Sequence, residues 1–229
     1  MKKYIIGLML LAGLLSAEAL PDSESLLDYL HQAQGWELLK VDGDRRIEIK
    51  DGRGLSLHAV KISQVVDIEP EILVGVFENI ESYPEVLSSA GGVEFDVINR
   101  AEKYVDGYQH LSVPIVKDRH YIYRMRRIWE EQSWIRTDWH LLPQNGEHRP
   151  LIQALSQEKK NPIYLEKGVG SFLVERLENQ KFLASYRLYI DPGGRLPNFL
   201  VNMVNESSIV GLFEDVVQEA YRRQSEGRM

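Results

Sequence analysis

The sequence is poor in the residues that build the commonest reactive and cross-linked sites. Cysteine is absent from all 229 residues, which excludes a disulfide framework, thiolate nucleophiles, cysteine-ligated zinc and lipid attachment through an N-terminal cysteine. Basic residues are in deficit, with 27 Lys plus Arg against 34 Asp plus Glu and a net charge of -7. Because neutralising phosphates requires a surplus of Lys and Arg, we do not expect nucleic acid as a partner.

Catalytic and metal-binding motifs are missing as well. The six histidines form neither H-E-x-x-H nor another tight ligand spacing, and no G-x-S-x-G nucleophile elbow occurs. The run GVGS at 168–171 starts an expected strand, whereas a nucleotide-binding loop would join a strand to a helix. We therefore predict no catalytic residues, no metal site and no cofactor.

One long apolar run is present, at the N-terminus. Two lysines precede the apolar residues 4–15, and Ala17 and Ala19 then follow in the A-x-A pattern of a signal-peptidase site. The run is shorter than the about 20 residues that a membrane-spanning helix needs. We predict a signal peptide over 1–19 and a mature protein in the periplasm, with secretion as the other possible destination.

The remaining chain carries neither an internal repeat nor a low-complexity linker, so one domain is the simplest organisation. We expect an N-terminal helix within 20–34, a folded domain over 35–222 and a C-terminal tail over 223–229. Within the domain, helices are expected from Pro70 and over 197–222. The expected strands are two short runs within 36–50, then 57–66, 93–100, 103–113, 119–131, 133–142, 168–178 and 181–190. The longer stretch 143–167 is expected to contain a short element of its own.

The strands alternate between an apolar and a charged face. Ala184, Tyr186 and Leu188 point one way, and Ser185 and Arg187 point the other way. Short polar links between consecutive strands indicate antiparallel pairing. A twisted sheet with one apolar face needs a cover, for which the C-terminal helix is the best candidate. Such an arrangement can enclose a cavity, although periodicity alone does not distinguish a cavity from a filled core.

Three segments carry motifs of a known family. Residues 189–197 (YIDPGGRLP), continued by FLVN at 199–202, contain a DPGG-x-x-P turn between a strand and a helix. Residues 108–121 contain a tyrosine, a proline and an Asp-Arg-His-Tyr run, and 170–174 read GSFLV. Together these segments resemble the START lipid-transfer domain of the helix-grip superfamily, in an exported bacterial form. The resemblance covers about residues 35–222.

Two positions depart from the family pattern. His120 follows Arg119 where the family has an acidic residue, so a local Arg-Asp pair is not expected there. Phe172 replaces the tryptophan of the Gly-x-Trp-x-Leu strand, which removes any hydrogen bond from that position. Both residues remain bulky and suited to a strand, so neither change threatens the fold.

The resemblance implies an α+β helix-grip fold, similar to START and Bet v 1 proteins, in which a curved antiparallel sheet wraps around a long C-terminal helix and a hydrophobic cavity. It implies binding and transfer of a lipid or other hydrophobic small molecule without catalysis, gating by the C-terminal helix and transient contact with membranes. We expect a monomer. Gly193 and Gly194 are the predicted hinge. The predicted cavity wall comprises Tyr121, Tyr123, Met125, Arg127, Trp139, Phe172, Tyr186, Phe199, Met203, Val210 and Phe213.

Arg127 is the charged member of this predicted wall. Because it alternates in step with Tyr123 and Met125, it should share their inward face. A charged group on an apolar face is costly unless it is paired. Its partner is expected to be a carboxylate at the cavity rim or the head group of a ligand.

Two other functions compete with the carrier. Related helix-grip proteins include cyclases and hydrolases, so Tyr, His and Arg side chains in a cavity could perform acid–base catalysis on an aromatic or polyketide-like substrate. The chain could also be a scaffold that binds another envelope protein and no small ligand. The missing nucleophile and metal motifs favour the carrier.

Overall fold

The computed structural model describes most of the chain downstream of the predicted signal peptide. The described residues are 22–52, 55, 57–112, 116–130, 133–178, 180–194 and 198–227, without the side chains of 129, 130 and 198–208. The predicted signal peptide, residues 1–19, lies outside them. None of the described helices combines the length and the apolar character needed to cross a membrane.

Five α-helices and ten strands make up this part of the chain. The helices are α1 (Ser23–His31), α2 (Pro70–Glu78), α3 (Tyr83–Val86), α4 (Arg149–Glu158) and α5 (Asn198–Ser225), with a 3₁₀ turn at Ile80–Ser82. The strands are β1 (Glu37–Asp42), β2 (Arg45–Lys50), β3 (Ala59–Val66), β4 (Val93–Arg100), β5 (Val105–Leu111), β6 (Arg119–Glu130), β7 (Trp134–Leu141), β8 (Ile163–Tyr164), β9 (Gly168–Arg176) and β10 (Phe182–Ile190).

All ten strands belong to one sheet, in the order β1-β2-β3-β10-β9-β7-β6-β5-β4, with the short β8 beside β6. Every pair on this path is antiparallel, and only β8 runs parallel to its neighbour. The predicted α+β architecture, a curved antiparallel sheet with a long C-terminal helix, is confirmed. The expected short element between β7 and β9 is α4 followed by β8.

Local chemistry explains where several elements begin and turn. Asp22 caps α1 because its side chain accepts a hydrogen bond from the Ser25 amide at 2.8 Å. Pro70 occupies the first turn of α2, where its missing N–H group is not needed. Gly43 adopts φ +60° in the tight turn between β1 and β2, a conformation that is unstrained only for glycine.

The inner face of the sheet packs against α2, α3 and α5 and forms the main hydrophobic core. One row of side chains crosses this face from strand to strand. Ile62 of β3 lies opposite Tyr186 of β10, which lies opposite Phe172 of β9. Phe172 in turn lies opposite Thr137, and Thr137 opposite Arg127. The row thus changes from apolar and aromatic side chains on β3, β10 and β9 to a charged side chain on β6.

The outer face is covered in two places, which the alternation of residue types did not indicate. Leu26 and Leu30 of α1 form a second buried cluster with Val169 and Tyr189. Ile152 of α4 belongs to a third buried cluster, which includes residues of β5 and β6. Apolar residues on this face are therefore buried where α1 and α4 lie over them.

Candidate ligand-binding site

A continuous row of aromatic rings lines the inner face from β6 to β10. The rings of Tyr121 and Tyr123 are 6.1 Å apart, and those of Tyr123 and Trp139 are 6.0 Å apart. The Trp139 indole N–H donates to the Tyr186 hydroxyl at 3.1 Å, and the Tyr186 ring lies 6.2 Å from that of Phe172. These five members of the predicted wall are each at most 6% exposed. The structure thus brings them together on one surface.

Two glycines make room for these rings. Gly107 lies opposite Tyr123, and a Cβ atom at Gly107 would come within 2.5 Å of the Tyr123 ring. Gly170 lies opposite Trp139, where a Cβ would come within 2.4 Å of the indole. Since real Cβ atoms do not approach so closely, each ring lies flat across its neighbouring strand only because that strand carries glycine.

The helices complete this apolar surface from the other side. Phe77 of α2 stacks on Phe172 with ring centroids 4.5 Å apart, and Phe213 of α5 lies 6.2 Å from the same ring. Val210 is partly buried against the main core, and Met125 is 4% exposed within it. Phe199 and Met203 belong to α5, but their side chains lie outside the described residues.

Tyrosine hydroxyl groups are concentrated in this interior. Tyr121 donates to the side-chain carbonyl of Gln109 at 2.6 Å, and Tyr83 donates to the backbone carbonyl of Phe77. Burial raises the pKa of Tyr83, Tyr121 and Tyr123 well above the usual 10. These phenols are therefore neutral at physiological pH, so they act as hydrogen-bonding groups and not as bases.

Arg127 pairs with two carboxylates of α2 at the edge of this surface. Its Nε donates to both oxygens of Glu78 at 3.0 Å, and its Nη1 donates to Glu71 at 2.7 Å. Thr137 also donates to Glu78, at 2.5 Å. The hydrogen bond to Glu78 raises the pKa of Arg127 and outweighs burial, which lowers it. The guanidinium group thus joins α2 to the sheet, with its charge already balanced by protein carboxylates.

The predicted hinge lies in a tight turn between β10 and α5. Asp191 accepts a hydrogen bond from the Gly193 amide at 2.9 Å, and Gly193 and Gly194 adopt φ +62° and +75°. Glycine adopts such positive angles without strain. Arg119 donates to the carbonyl of Pro192 at 3.3 Å. Arg119 therefore fixes the turn through one backbone carbonyl.

The site also contains residues that were not among the predicted wall positions. Phe77 belongs to the apolar face of α2, so its helical spacing was a usable signal. Gln109 lies opposite Tyr121 in the β5–β6 register, which the short connection between those strands could have indicated. Tyr83 and Glu78 come from elements whose packing on the sheet is a long-range property. No local pattern points to them.

The only group of candidate metal ligands in the described part of the chain lies on the outer face. It consists of Asp106, Glu147 and His148. Asp106 already accepts two hydrogen bonds from Arg124, at 2.7 and 2.8 Å, and its second oxygen lies 3.0 Å from His148 Nε2. The guanidinium group of Arg124 thus supplies the positive charge that a metal ion would bring. It links β6 to β5 through Asp106, which His148 also contacts at the start of α4.

Solved structures resemble this arrangement of sheet and helices over most of the chain. A STAR-related lipid transfer protein from Xanthomonas axonopodis superposes with a TM-score of 0.66 at 14% identity, over 82% of this chain and 99% of that one. Human STARD10 superposes with a TM-score of 0.66 at 17% identity, over 90% of this chain and 84% of that one. The chain has the START fold.

A third structure agrees with this assignment. Human StAR-related lipid transfer protein 5 superposes with a TM-score of 0.65 at 13% identity, over 88% of this chain and 93% of that one. At the level of sequence, no family model matches the chain, and no curated protein matches it either. The START fold, and with it the predicted helix-grip class, therefore rests on three-dimensional similarity at low sequence identity.

Proposed function

We propose that this protein binds and transfers a lipid or other hydrophobic small molecule, without catalysis, in the interior between the inner face of the sheet and α5. Three structures with the same fold are named as lipid-transfer proteins or belong to the STARD series. In this proposal α5 gates access to the interior, and the turn at 191–194 acts as its hinge.

The observation that carries the proposal is the chemical character of the inner face. The wall from Tyr121 to Phe172 consists of large apolar and aromatic side chains, and its tyrosines are neutral. The one cation of the predicted wall, Arg127, is neutralised by Glu71 and Glu78. Such a surface favours an apolar ligand, because burial contributes about 25 cal/mol per Å² of apolar area.

We further propose that the protein acts in the periplasm after removal of residues 1–19, as a monomer that touches membranes briefly. The full chain has a net charge of -7, and removal of Lys2, Lys3 and Glu18 with the signal peptide makes it -8, which opposes electrostatic anchoring on anionic lipid. The edge strand β1 supports an apolar contact, since Leu38, Leu39 and Val41 are all more than 40% exposed.

Native mass spectrometry of the protein recovered from the periplasm of its own host tests this function. We expect a co-purifying lipid or other apolar molecule, together with uptake of fluorescent lipid from labelled vesicles. An interior without any such molecule, in a protein that takes up no labelled lipid, would contradict the carrier function. A cytoplasmic location of the protein would contradict the export proposal alone.

A pair of substitutions separates binding in the interior from adsorption to the surface. Met125→Trp enlarges a buried inner-face residue and should lower lipid uptake at least about tenfold, because the larger side chain occupies ligand space. Val65→Trp adds the same side chain at a position that is 46% exposed and should leave uptake unchanged. If Met125→Trp and Val65→Trp took up the same amount of lipid, the lipid would bind to the surface and not in the interior. Thermal melts of both variants check that they are folded.

A further inference from the structure

The sheet ends at an open edge along β1. This strand stands first in the order of the sheet, beside β2, and all six of its residues are exposed. Val41, at 58%, is the most exposed of the large apolar side chains in the described part of the chain. The edge of a sheet presents backbone N–H and C=O groups that can pair with a further strand.

The opposite end of the sheet, β4, is less open. The 3₁₀ turn at Ile80–Ser82 and α3 both contact this strand, and Glu81 of that turn pairs with Arg100 of β4 at 2.6 Å. Its exposed residues include Glu94 and Asp96, and like charges across a strand pair are destabilising. Of the two edges, β1 is therefore the one suited to pairing.

The turn after β1 determines which backbone groups face the open edge. Gly43 and Asp44 form a two-residue turn with Gly43 at φ +60° in its first central position, as in a type II′ hairpin. In such a hairpin Asp42 and Arg45, which lie opposite each other, are a hydrogen-bonded pair. Because bonded and non-bonded pairs alternate along an antiparallel ladder, Val41 directs its N–H and C=O groups away from β2 and towards the edge.

The two neighbours of Val41 carry opposite charges on one face. Lys40 lies opposite Ile47, a core residue of the inner face, and Asp42 is two residues further along, so both belong to this face. If two copies of β1 run antiparallel with Val41 opposite Val41, each Lys40 lies opposite Asp42 of the other copy. Opposite charges at such positions stabilise a strand pair, so β1 is complementary to itself.

We propose that β1 is the interface of a weak two-fold dimer, in which it pairs antiparallel with β1 of a second copy of this chain about Val41. Backbone hydrogen bonds between the two Val41 residues and two Lys40–Asp42 pairs hold the copies together. One strand pair buries less than the about 1,200 Å² of a stable complex, so the dimer dissociates on dilution. It covers Val41, which the proposed membrane contact needs, so the monomer is the form that reaches a membrane.

Two charge variants and their mixture test this register. Lys40→Asp leaves two carboxylates at the paired positions of each strand, and Asp42→Lys leaves two ammonium groups. In sedimentation equilibrium from about 10 μM to about 1 mM protein, each variant should self-associate at least about tenfold more weakly than the unchanged protein. An equal mixture of the two pairs every carboxylate with an ammonium group and should form a heterodimer. Lys103→Asp makes the same charge change at an exposed residue between β4 and β5 and should leave association unchanged.

Hydrogen exchange of the unchanged protein gives a second measurement that does not depend on variants. The Val41 amide should exchange more slowly as the protein concentration rises, because the second copy bonds to it. A protein that stays monomeric at every concentration, with a constant exchange rate at Val41, would overturn the dimer. A dimer that persists in both charge variants, or a mixture of folded variants that does not associate, would overturn it as well. Lipid uptake by the dilute protein tests the carrier function separately, since the dimer does not depend on it.

Discussion

His120 is fully buried beneath α4, and no charged group among the described residues bonds to its ring. One ring nitrogen lies 3.3 Å from the Tyr108 hydroxyl, the other lies 3.3 Å from the Ser156 hydroxyl, and the Tyr164 ring packs edge-on at 5.2 Å. Burial, and secondarily His110, lowers the pKa of His120 from 6.5 to about 4. His120 is therefore a neutral imidazole at neutral pH in the folded protein.

This pKa predicts how stability depends on pH. Between pH 6.5 and about 4 the unfolded chain binds a proton at His120 that the folded chain does not bind, so the free energy of unfolding decreases as pH falls. This contribution of His120 to the free energy of unfolding is fully present above pH 6.5 and amounts to at most about 3 kcal/mol. In His120→Gln, urea unfolding at pH 7, 5.5 and 4 should show a pH dependence that is weaker by about that amount. The same slope in both proteins would contradict the prediction.

At the scale of elements, α5 is held against the loop at 87–92 by one buried carboxylate. Asp215 accepts from the Ser88 hydroxyl at 2.9 Å and from the Ser89 amide at 2.8 Å. Gly211 allows the close approach, because a Cβ there would lie 2.7 Å from the Ser89 side chain. The loop that precedes β4 is thus fixed to the helix that covers the core.

Removing this carboxylate should free the loop. Asp215→Ala leaves the Ser89 amide without its acceptor, so its hydrogen exchange should become at least about tenfold faster and the free energy of unfolding should fall by about 1–3 kcal/mol. Gln218→Ala changes an exposed residue of the same helix and serves as the control. Unchanged protection across 87–92 in Asp215→Ala would show that packing alone holds the loop.

Most elements were predictable because their signals are local. Six long β segments were expected from alternation, and β4 begins and ends at the predicted residues. The others differ by one or two residues at their ends, where pairing with a neighbour decides the last bridge. By contrast, α4 and β8 were expected only as an unspecified short element. Ile163 pairs with Arg119, and a two-residue strand has too little sequence to carry a period.

At the scale of the whole molecule, the C-terminal end of α5 is bonded to the loop before α2. Near its C-terminus, Gln224 accepts from the Glu69 amide at 2.8 Å and donates to the Asp67 carbonyl at 2.9 Å, while Glu214 pairs with Arg45. Its N-terminus follows the glycine turn at 191–194. Any opening by α5 should therefore start at the turn, since the opposite end is bonded to the loop before α2.

Replacing both hinge glycines tests this motion. Gly193→Ala/Gly194→Ala reduces backbone freedom at two positive-φ positions, so transfer of a pyrene-labelled long-chain alcohol between neutral vesicles should become at least about threefold slower. Equilibrium binding of the probe should stay the same. Gly43→Ala introduces comparable strain at φ +60° in the β1–β2 turn, away from α5, and should not alter transfer. Equal rates in all three proteins would exclude the hinge.

The sequence by itself determined the fold class, because alternation, turn residues and the DPGG motif act over a few neighbouring positions. It also determined which side chains share the inner face, since a strand has a period of two. Only the tertiary structure decided which of these side chains meet. β3 pairs with β10 across more than a hundred residues, and α2 supplies Glu78 to Arg127. Such contacts depend on how distant elements pack, so the partner of Arg127 could not follow from periodicity.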